Sequence, residues 1–230
     1  MDDDAFADEG WLEALASGYD DPTVMACGGT IDPVWERGRP AWFPLEFDWV
    51  VGCTYLGMPR ARAAVRNVIG CNMSFRMAVF DEIGGFAHGV GRLGTRPLGG
   101  EETEICIRAR QRWPNRTIAF EPSAVVHHRV PAARGTVSYF RSRCYAEGLS
   151  KAMVARLVGG EDALSTERGY AVRVLGGGVI RELGKAIRHR QLAAAERAAA
   201  ITFGLVVTTV GFVVGAISIR RGRLALANEP

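Results

Sequence analysis

Three carboxylates follow two glycines in the segment 99–104, and they open a stretch that apolar periodicity predicts to be a helix through Arg112. Glu102 shares one face of this helix with residues three, four and seven positions further on, which are Ile105, Cys106 and Ala109. Because that face is apolar, we expect Glu102 to point into a partly desolvated cleft, where a carboxylate can act as a general base. The alternative interpretation is an acidic helix terminus with solvated glutamates.

A second acidic group, Asp2, Asp3 and Asp4, stands shortly before a helix predicted to begin near Trp11. Carboxylate oxygens are hard ligands that suit magnesium or manganese, and such ions typically bridge to substrate phosphates. A metal loop of this kind is expected at the end of a strand, which here would have to lie before Met1. The alternative is an acidic, frayed terminus with no ligand role.

Two adjacent histidines, His127 and His128, lie in a predicted strand at 124–131. Adjacent side chains on a strand point to opposite faces, so one imidazole can face a cleft while the other faces away. A neutral imidazole is a good ligand for manganese-like ions. The alternative is a structural pair without a metal.

Two loops carry side chains that suit substrate contacts. Arg92 and Arg96 lie in a glycine-rich loop at 84–100, where guanidinium groups are placed to meet phosphate oxygens. Trp42 lies in a segment rich in proline and tryptophan, 31–49, which we expect to be an irregular surface loop. Its indole can stack on a sugar ring or a nucleobase, or pack locally within the loop.

The first two thirds of the chain are expected to contain both strands and helices, and we expect a fold of the α/β class. Strands are expected at 22–29, 50–55, 68–76, 117–122 and 124–131. Helices are expected at 77–83, 101–112 and 137–155. These elements must bring the acidic triplet, the histidines and the glutamate helix together if the three groups share one site.

The C-terminal third differs from the first part in charge and hydropathy. Residues 156–197 form a predicted basic linker or surface helix, and residues 198–219 are apolar and uncharged over a length that can span a bilayer. Glycines within this helix provide small faces for close packing on a neighbour, at Gly204, Gly211 and Gly215. Both flanks are basic, so the orientation stays open, and residues 220–230 form a tail. A buried soluble helix is the weaker alternative.

Net charge, cysteine pattern and the first residues exclude some classes of protein. The net charge of +3 argues against nucleic-acid binding by bulk electrostatics. Five cysteines with no C-x-x-C pair indicate reduced thiols. The acidic start, Met-Asp-Asp-Asp, is unlike a secretory signal peptide.

From Asp2 to about Lys151, the chain resembles the family 2 inverting glycosyltransferases of the GT-A fold, particularly bacterial membrane-associated members. The resemblance depends on five features in the family's order: the aspartates with 11-WLEAL, 70-GCNMSFR, 84-GGF, 100-GEETE and the histidine strand. It implies a partial GT-A domain at 1–155, Rossmann-like, with a mixed sheet and flanking helices, followed by the C-terminal hydrophobic helix.

The resemblance also assigns roles to residues. Asp2 and Asp4 correspond to the D-x-D motif that faces the nucleotide sugar and its manganese or magnesium ion. Glu102 corresponds to the base that deprotonates the acceptor hydroxyl; the family more often has Asp there, so Glu101 is the second choice. His128, with His127 close behind, matches a further metal ligand. Additional candidate phosphate or acceptor contacts are Asp3, Asn72, Arg92, Arg96 and Trp42.

The implied function is inverting transfer of a sugar from a nucleotide sugar to a glycan or lipid-linked acceptor, in glycan, cell-envelope or exopolysaccharide synthesis. The implied location is the cell membrane, with the catalytic part on the cytoplasmic side. Family members place several nucleoside-binding β/α units before D-x-D, so we expect this polypeptide alone to bind nucleotide sugar poorly. The alternatives are a non-catalytic, membrane-tethered remnant or binding module and, less favoured, a metal-dependent hydrolase.

Overall fold

A five-stranded mixed sheet forms the centre of the protein in the computed structural model, which describes residues 1–87, 90–91, 98–163 and 166–222. The strand order is β1-β5-β2-β4, and the two-residue β3 pairs with another part of β5. β2 and β5 run parallel, and the other pairings are antiparallel. The strands are β1 (Ala5–Ala7), β2 (Val24–Trp35), β3 (Ala63–Ala64), β4 (Met73–Phe75) and β5 (Thr117–Val130). The mixed α/β architecture agrees with the sequence prediction.

Eight α-helices accompany the sheet in the described residues. Their bounds are α1 (Trp11–Ser17), α2 (Met77–Ile83), α3 (Glu101–Arg112), α4 (Val137–Val158), α5 (Gly160–Ala163), α6 (Glu167–Gly169), α7 (Gly176–His189) and α8 (Leu192–Arg220). A π-helical stretch, Tyr170–Leu175, joins α6 to α7, and short 3-10 helices lie at Leu45–Val51, Gly70–Asn72 and Ala132–Gly135. The helices predicted at 77–83 and 101–112 have these bounds in the structure.

The two long strands differ from the sequence prediction in extent. β5 is one strand of 14 residues, although two strands had been expected on either side of Ser123. The pairing of β2 with β5 shifts register between Gly29 and Thr30, opposite this point. Such an irregularity accommodates Pro122, which has no backbone N–H to donate to the ladder. Beyond the shift, β2 and β5 pair continuously from Thr30 and Val125 to Trp35 and Val130, a stretch that includes both histidines.

The prediction was wrong in two places. Of the strand expected at 68–76, only Met73–Phe75 forms, after a 3-10 helix at Gly70–Asn72. The second place is the segment 31–55. Residues Ile31–Trp35 belong to β2, and 50–55 is not a strand, because a 3-10 helix ends at Val51 and Gly52 then turns the chain with φ 78°. Phe43 and Phe47, each 1% exposed, pack edge-on or tilted against Phe140 of α4. The proline- and tryptophan-rich segment is thus part of the core and not a surface loop, since its aromatic rings supply the contact between the sheet and the C-terminal helices.

α8 packs along α4 through its small residues, and the two helices run in the same direction. Gly204 lies against Phe47 and Phe140, Gly211 against Tyr145 and Gly148, and Gly215 against Ala152. Among the described residues, one helix, α8, is long and apolar enough to cross a membrane, and 22% of its most apolar window is buried. The face of α8 opposite α4 is apolar and exposed, at Val206, Val210, Val213 and Ile217. α8 is therefore docked on the domain by one side only.

Gly211→Ala is expected to lower the free energy of unfolding by about 1–3 kcal/mol, because an added methyl group must separate two packed helices. A Cβ at this position would overlap the carbonyl oxygen of Tyr145. Gly184→Ala is the matched control, since a Cβ on Gly184 of α7 meets nothing within 4 Å and alanine favours the helix by roughly 0.5–1 kcal/mol. Thermal unfolding in detergent compares the two; equal stability of both variants would contradict the packing described here.

Candidate functional site

β1 lies beside the end of β5 and carries the acidic triplet to the histidines. Ala5 pairs with His128 and Phe6 with His127. As a result, one ligand atom from each of Asp2, Asp4 and His128 lies within 4.8 Å of the others. The Nε2 atom of His128 is 3.1 Å from Asp4 Oδ1. The aspartates therefore reach the histidine from the beginning of an edge strand, where the sequence had suggested the end of a preceding one.

The two histidines face opposite sides of β5. His128 is buried, and its Nδ1 lies 3.7 Å from Cys53 Sγ, which leaves Nε2 facing the aspartates. His127 turns the other way, with Nε2 2.8 Å from Asp8 Oδ1 and its ring stacked on Phe6 at 5.1 Å. Strand alternation thus separates a histidine within the acidic group from one that anchors β1.

Arg134 is a member of this group that the sequence analysis did not single out. It lies in the 3-10 turn just after β5, and its guanidinium is 3.3 Å from Asp4 Oδ2 and 3.4 Å from His128 Nε2. A basic side chain a few residues beyond a histidine strand is the signal that would have indicated it. Its partly exposed guanidinium adds a positive charge beside the aspartates.

The donor set fits a hard divalent cation. Two carboxylates and one imidazole nitrogen are the kinds of ligand that manganese or magnesium accepts in proteins. The three candidate ligand atoms already lie close together, so the pairing of β1 with β5 need not change for an ion to bind. Cys53 behind His128 stays protonated, because burial and then Asp48 raise its pKa well above the usual range. Cys53 therefore holds the imidazole and does not compete as a thiolate ligand.

Asn72, a candidate phosphate or acceptor contact by sequence, has a different place in the structure. Its side chain is 1% exposed; Oδ1 accepts from Trp11 Nε1 at 2.9 Å, and Nδ2 donates to the carbonyl oxygens of Thr30 and Ala124 at 2.9 and 2.8 Å. All these contacts are internal. Asn72 fastens α1 to the β2–β5 pair.

Asn72→Ala should therefore lower the free energy of unfolding by about 3 kcal/mol, because it leaves buried donors and acceptors unpaired at roughly 1–3 kcal/mol each. The exposed Asn115→Ala is the control, expected to stay within about 0.5 kcal/mol of the parent protein. Chemical denaturation measures both. A stable Asn72→Ala protein would show that the side chain is dispensable for the fold.

The N-terminus of α3 forms the second part of the candidate site. Ile105, Cys106 and Ala109 are buried, as their spacing predicted, and Glu102 is partly buried on the same side. Burial and then the neighbouring Glu101 raise the pKa of Glu102 to about 7. A carboxyl group with this pKa exchanges its proton near neutral pH, which is what general base catalysis requires.

Glu101 occupies a tighter position. The Gly91 backbone, at φ 102°, approaches its carboxylate so closely that a Cβ there would lie 3.0 Å from Oε2. Oε2 is buried and has no hydrogen-bond partner among the described residues. Both glutamates therefore face the interior side of the helix start, which Gly100 begins with φ 98°.

A polar cleft lies beside this helix start. Lys151 of α4 bridges Glu147 at 3.1 Å and Glu167 at 2.8 Å, and Arg66 also binds Glu167, at 2.7 Å. The cleft is lined by these four charged residues together with Gly100, Thr103, Ser150, Val154 and Ala163. The cavity measures about 20 Å³, which is room for roughly one water molecule, and its charged side chains are paired with one another. Nothing in the local sequence pattern marked it, because its members come from four separate segments.

One short segment contacts both parts of the candidate site. Cys71 lies against the backbone of Asp2. Burial raises the pKa of its thiol to about 11, although the hydrogen bond with that backbone acts in the opposite direction. The thiol of Cys106, one turn after Glu102, lies against the backbone of Val68. Residues 68–71 therefore connect the acidic triplet to the glutamate helix through direct contacts.

The remaining candidates by sequence belong to neither group or lie outside the described residues. Trp42 is part of the aromatic core, 5.3 Å from Phe43 and 5.5 Å from Phe140 between ring centroids. Asp3 is exposed and is not one of the three residues that cluster, which are Asp2, Asp4 and His128. Arg92 and Arg96 lie outside the described residues.

Comparison with known proteins gives a family-level relationship. No family model matches the chain. The chain is 36% identical over 152 residues to the glucosyl-dolichyl phosphate glucuronosyltransferase of Haloferax volcanii, an alignment that covers 66% of this chain and 48% of the relative. The chain thus spans about half the length of the curated relative it matches. At the level these observations support, the chain is a distant homologue of a glycosyltransferase.

Proposed function

We propose that this chain provides the metal-binding and acceptor-activating part of an inverting, family 2 glycosyltransferase with a GT-A fold. The observation that carries the proposal is the clustering of Asp2, Asp4 and His128 within 4.8 Å. A D-x-D pair completed by a histidine is the arrangement that the sequence resemblance led us to expect. The homology to a glycosyltransferase supports the same reaction class.

In this proposal, Asp2, Asp4 and His128 hold a manganese or magnesium ion. When bound, the ion supplies charge neutralisation for the diphosphate of the donor. Arg134, which now contacts Asp4 and His128, is close enough to offer its guanidinium to a diphosphate oxygen. The departing group is therefore met by positive charge from the protein itself.

Glu102 is the proposed base. Its carboxylate accepts the proton of the acceptor hydroxyl, the hydroxyl oxygen bonds to the anomeric carbon, and the bond from that carbon to the diphosphate breaks on the opposite face. The anomeric configuration inverts, and the nucleoside diphosphate leaves with the electron pair. The proposal requires the two parts to meet at one bound donor; the segment 68–71 contacts Asp2 through Cys71 and α3 through Val68.

The acceptor we propose is a lipid-linked sugar at a membrane. The relative's name describes transfer to glucosyl-dolichyl phosphate, and the candidate membrane helix α8 packs on α4, which also lines the polar cleft beside Glu102. This arrangement would place a lipid-linked sugar within reach of the base while its hydrocarbon part stays beside α8.

The test is an assay of the native protein with Mn²⁺, a polyprenyl-phosphate-linked glucose and a panel of nucleotide sugars. The nucleotide sugars are supplied at high concentration, because this polypeptide alone is expected to bind them poorly. Mass spectrometry of the lipid product should show one added sugar, and NMR should show the inverted anomer. Hydrolysis of the nucleotide sugar at the same rate without acceptor would instead favour a metal-dependent hydrolase. If the protein shows no turnover and no binding of the donor, the result would favour a non-catalytic remnant.

A further inference from the structure

α7 is amphipathic, but it presents its apolar face to solvent. Ile180 is 75% exposed and Ile187 81% exposed, although such side chains normally lie inside a protein. Leu183 is exposed on the same helix, and the strip continues before and after it at Val172 and Leu192. An exposed row of large aliphatic side chains of this length marks a surface that contacts a membrane or another protein.

The charged face of α7 points inward and explains the orientation. Glu182 is 4% exposed and accepts from Arg197 of α8 at 2.8 Å and from Lys185 at 2.8 Å. Arg181 reaches the buried Glu46 at 2.6 Å. Burial opposes ionisation of Glu182, but the hydrogen bonds from Lys185 and Arg197 outweigh it and hold the pKa of Glu182 below its usual range. This ion-pair network fixes which side of α7 faces out.

Gly178 makes the inward orientation specific. A Cβ at this position would overlap the Glu46 carboxylate and lie 3.2 Å from Ile201 of α8. The helix therefore contacts the domain along the line of Gly178 and Glu182. Ile180 and Ile187 lie on the opposite side of the helix, because 3.6 residues complete each turn. The apolar strip consequently faces directly away from the protein.

The charges around the strip indicate what covers it. Between Tyr170 and Ala195 the sequence contains one acidic residue, Glu182, and it is buried. Arg173, Arg188 and Arg190 are exposed beside the apolar strip. Two copies of this surface would bring like charges together, whereas anionic lipid headgroups complement the arginines and the acyl region accepts the isoleucines.

We propose that α7 lies in the plane of an anionic membrane surface, with Ile180 and Ile187 inserted below the headgroups and the arginines among them. This contact is separate from α8 and does not depend on the proposed transfer reaction. The hairpin between α7 and α8, at Arg190 and Gln191, joins the two membrane contacts. The basic segment is thus a membrane-binding element with a defined inner and outer face.

The test places an environment-sensitive fluorophore on the full chain through Ile187→Cys. All five native cysteines are buried, and burial raises their pKa values, so the introduced thiol reacts selectively. The protein is reconstituted into phosphatidylcholine vesicles with and without phosphatidylglycerol. We expect a blue-shifted emission that spin-labelled lipids quench, strongest with phosphatidylglycerol, while a label at the exposed Asn115→Cys shows neither change.

Charge and apolar variants separate the contributions to this contact. Arg188→Gln with Arg190→Gln should weaken the docking of the labelled face by roughly 30-fold, about fivefold for each arginine. Ile180→Gln in the labelled protein should reduce the blue shift without unfolding the chain, since that side chain is already exposed. A label at position 187 that stays unquenched in embedded protein would overturn the proposal. So would a shift that needs no vesicles and grows with protein concentration, which would indicate contact between copies.

Discussion

Replacing Glu102 with glutamine is expected to reduce glycosyl transfer by about 10²–10⁴-fold, the usual contribution of a general base. Glutamine has nearly the same shape and cannot accept the acceptor proton. Donor binding should change little, because the donor contacts we propose lie at Asp2, Asp4 and His128. Steady-state kinetics with a lipid-linked acceptor would show the loss in kcat with a nearly constant KM for the donor.

The pH dependence gives this prediction a second readout. Burial and then Glu101 raise the pKa of Glu102 to about 7, so the transfer rate should rise with pH through about 7 and then level off. In the Glu102→Gln protein this rise should disappear from the residual rate. Unchanged pH dependence in the variant would assign the titration, and the base, to another group.

The raised pKa of Glu102 also predicts that the protein loses stability over the pH range in which the transfer rate rises. A carboxyl whose folded pKa is raised keeps its proton longer in the folded state than in the unfolded state, so its ionisation costs stability as pH rises from about 4.5 toward 7 and above. Glu102→Gln should therefore be more stable than the parent protein at pH 8. A variant that is inactive and more stable cannot owe its inactivity to misfolding.

Glu101→Gln is the matched control for the choice between the two glutamates. Its buried oxygen faces Gly91 and has no described partner, so the amide should be tolerated with a modest effect on rate if Glu102 is the base. If Glu101→Gln abolishes transfer and Glu102→Gln does not, the second choice from the sequence is the base. Both results keep the acceptor-activating role on α3.

The second large effect is expected at the metal-ligand group. Asp4→Asn removes a charged ligand, and we expect transfer to fall by roughly 10²–10³-fold, the effect typical of losing one electrostatic contact to the developing charge. His128→Ala should weaken Mn²⁺ binding by at least about 10–100-fold, the loss typical of removing an outer-shell partner of a metal ligand. Isothermal titration with Mn²⁺ alone measures the affinity without depending on turnover.

His127→Ala is the control for His128→Ala, because the two residues are adjacent and have the same side chain. His127 contacts Asp8 and Phe6 on the other face of β5, so its loss should leave Mn²⁺ affinity within about threefold of the parent value. Equal losses of affinity in both variants would contradict the assignment of His128 alone. Unchanged affinity in Asp4→Asn would remove the proposed metal site.

The sequence predicted those features that depend on local periodicity. The bounds of α2 and α3, the inward face of α3 and the opposed histidines all follow from spacings of two or 3.6 residues. The 31–55 segment could not be read in this way, because its prolines and tryptophans indicate irregular backbone whether the rings face solvent or core. Arg134 and the Lys151 cleft were missed because they arise from contacts between distant segments.

The outward apolar face of α7 shows a further limit of sequence patterns. Periodicity identifies two faces of a helix but does not state which one is inside. In this chain the inner face of α7 is the one that contacts Glu46, a buried carboxylate far away in the sequence. Arg181 donates to Glu46, and the helix can approach it because Gly178 has no side chain. Only tertiary contacts carry that information.

The shortness of β1 affects how the acidic residues behave over time. β1 has three residues and pairs with β5 along one edge of the sheet, so few hydrogen bonds must break for it to separate. Local opening of such a strand requires much less free energy than global unfolding, and its amides should exchange hydrogen rapidly. Capture of a cation by Asp2 and Asp4 would slow that exchange, which couples folding of the strand to occupancy of the site.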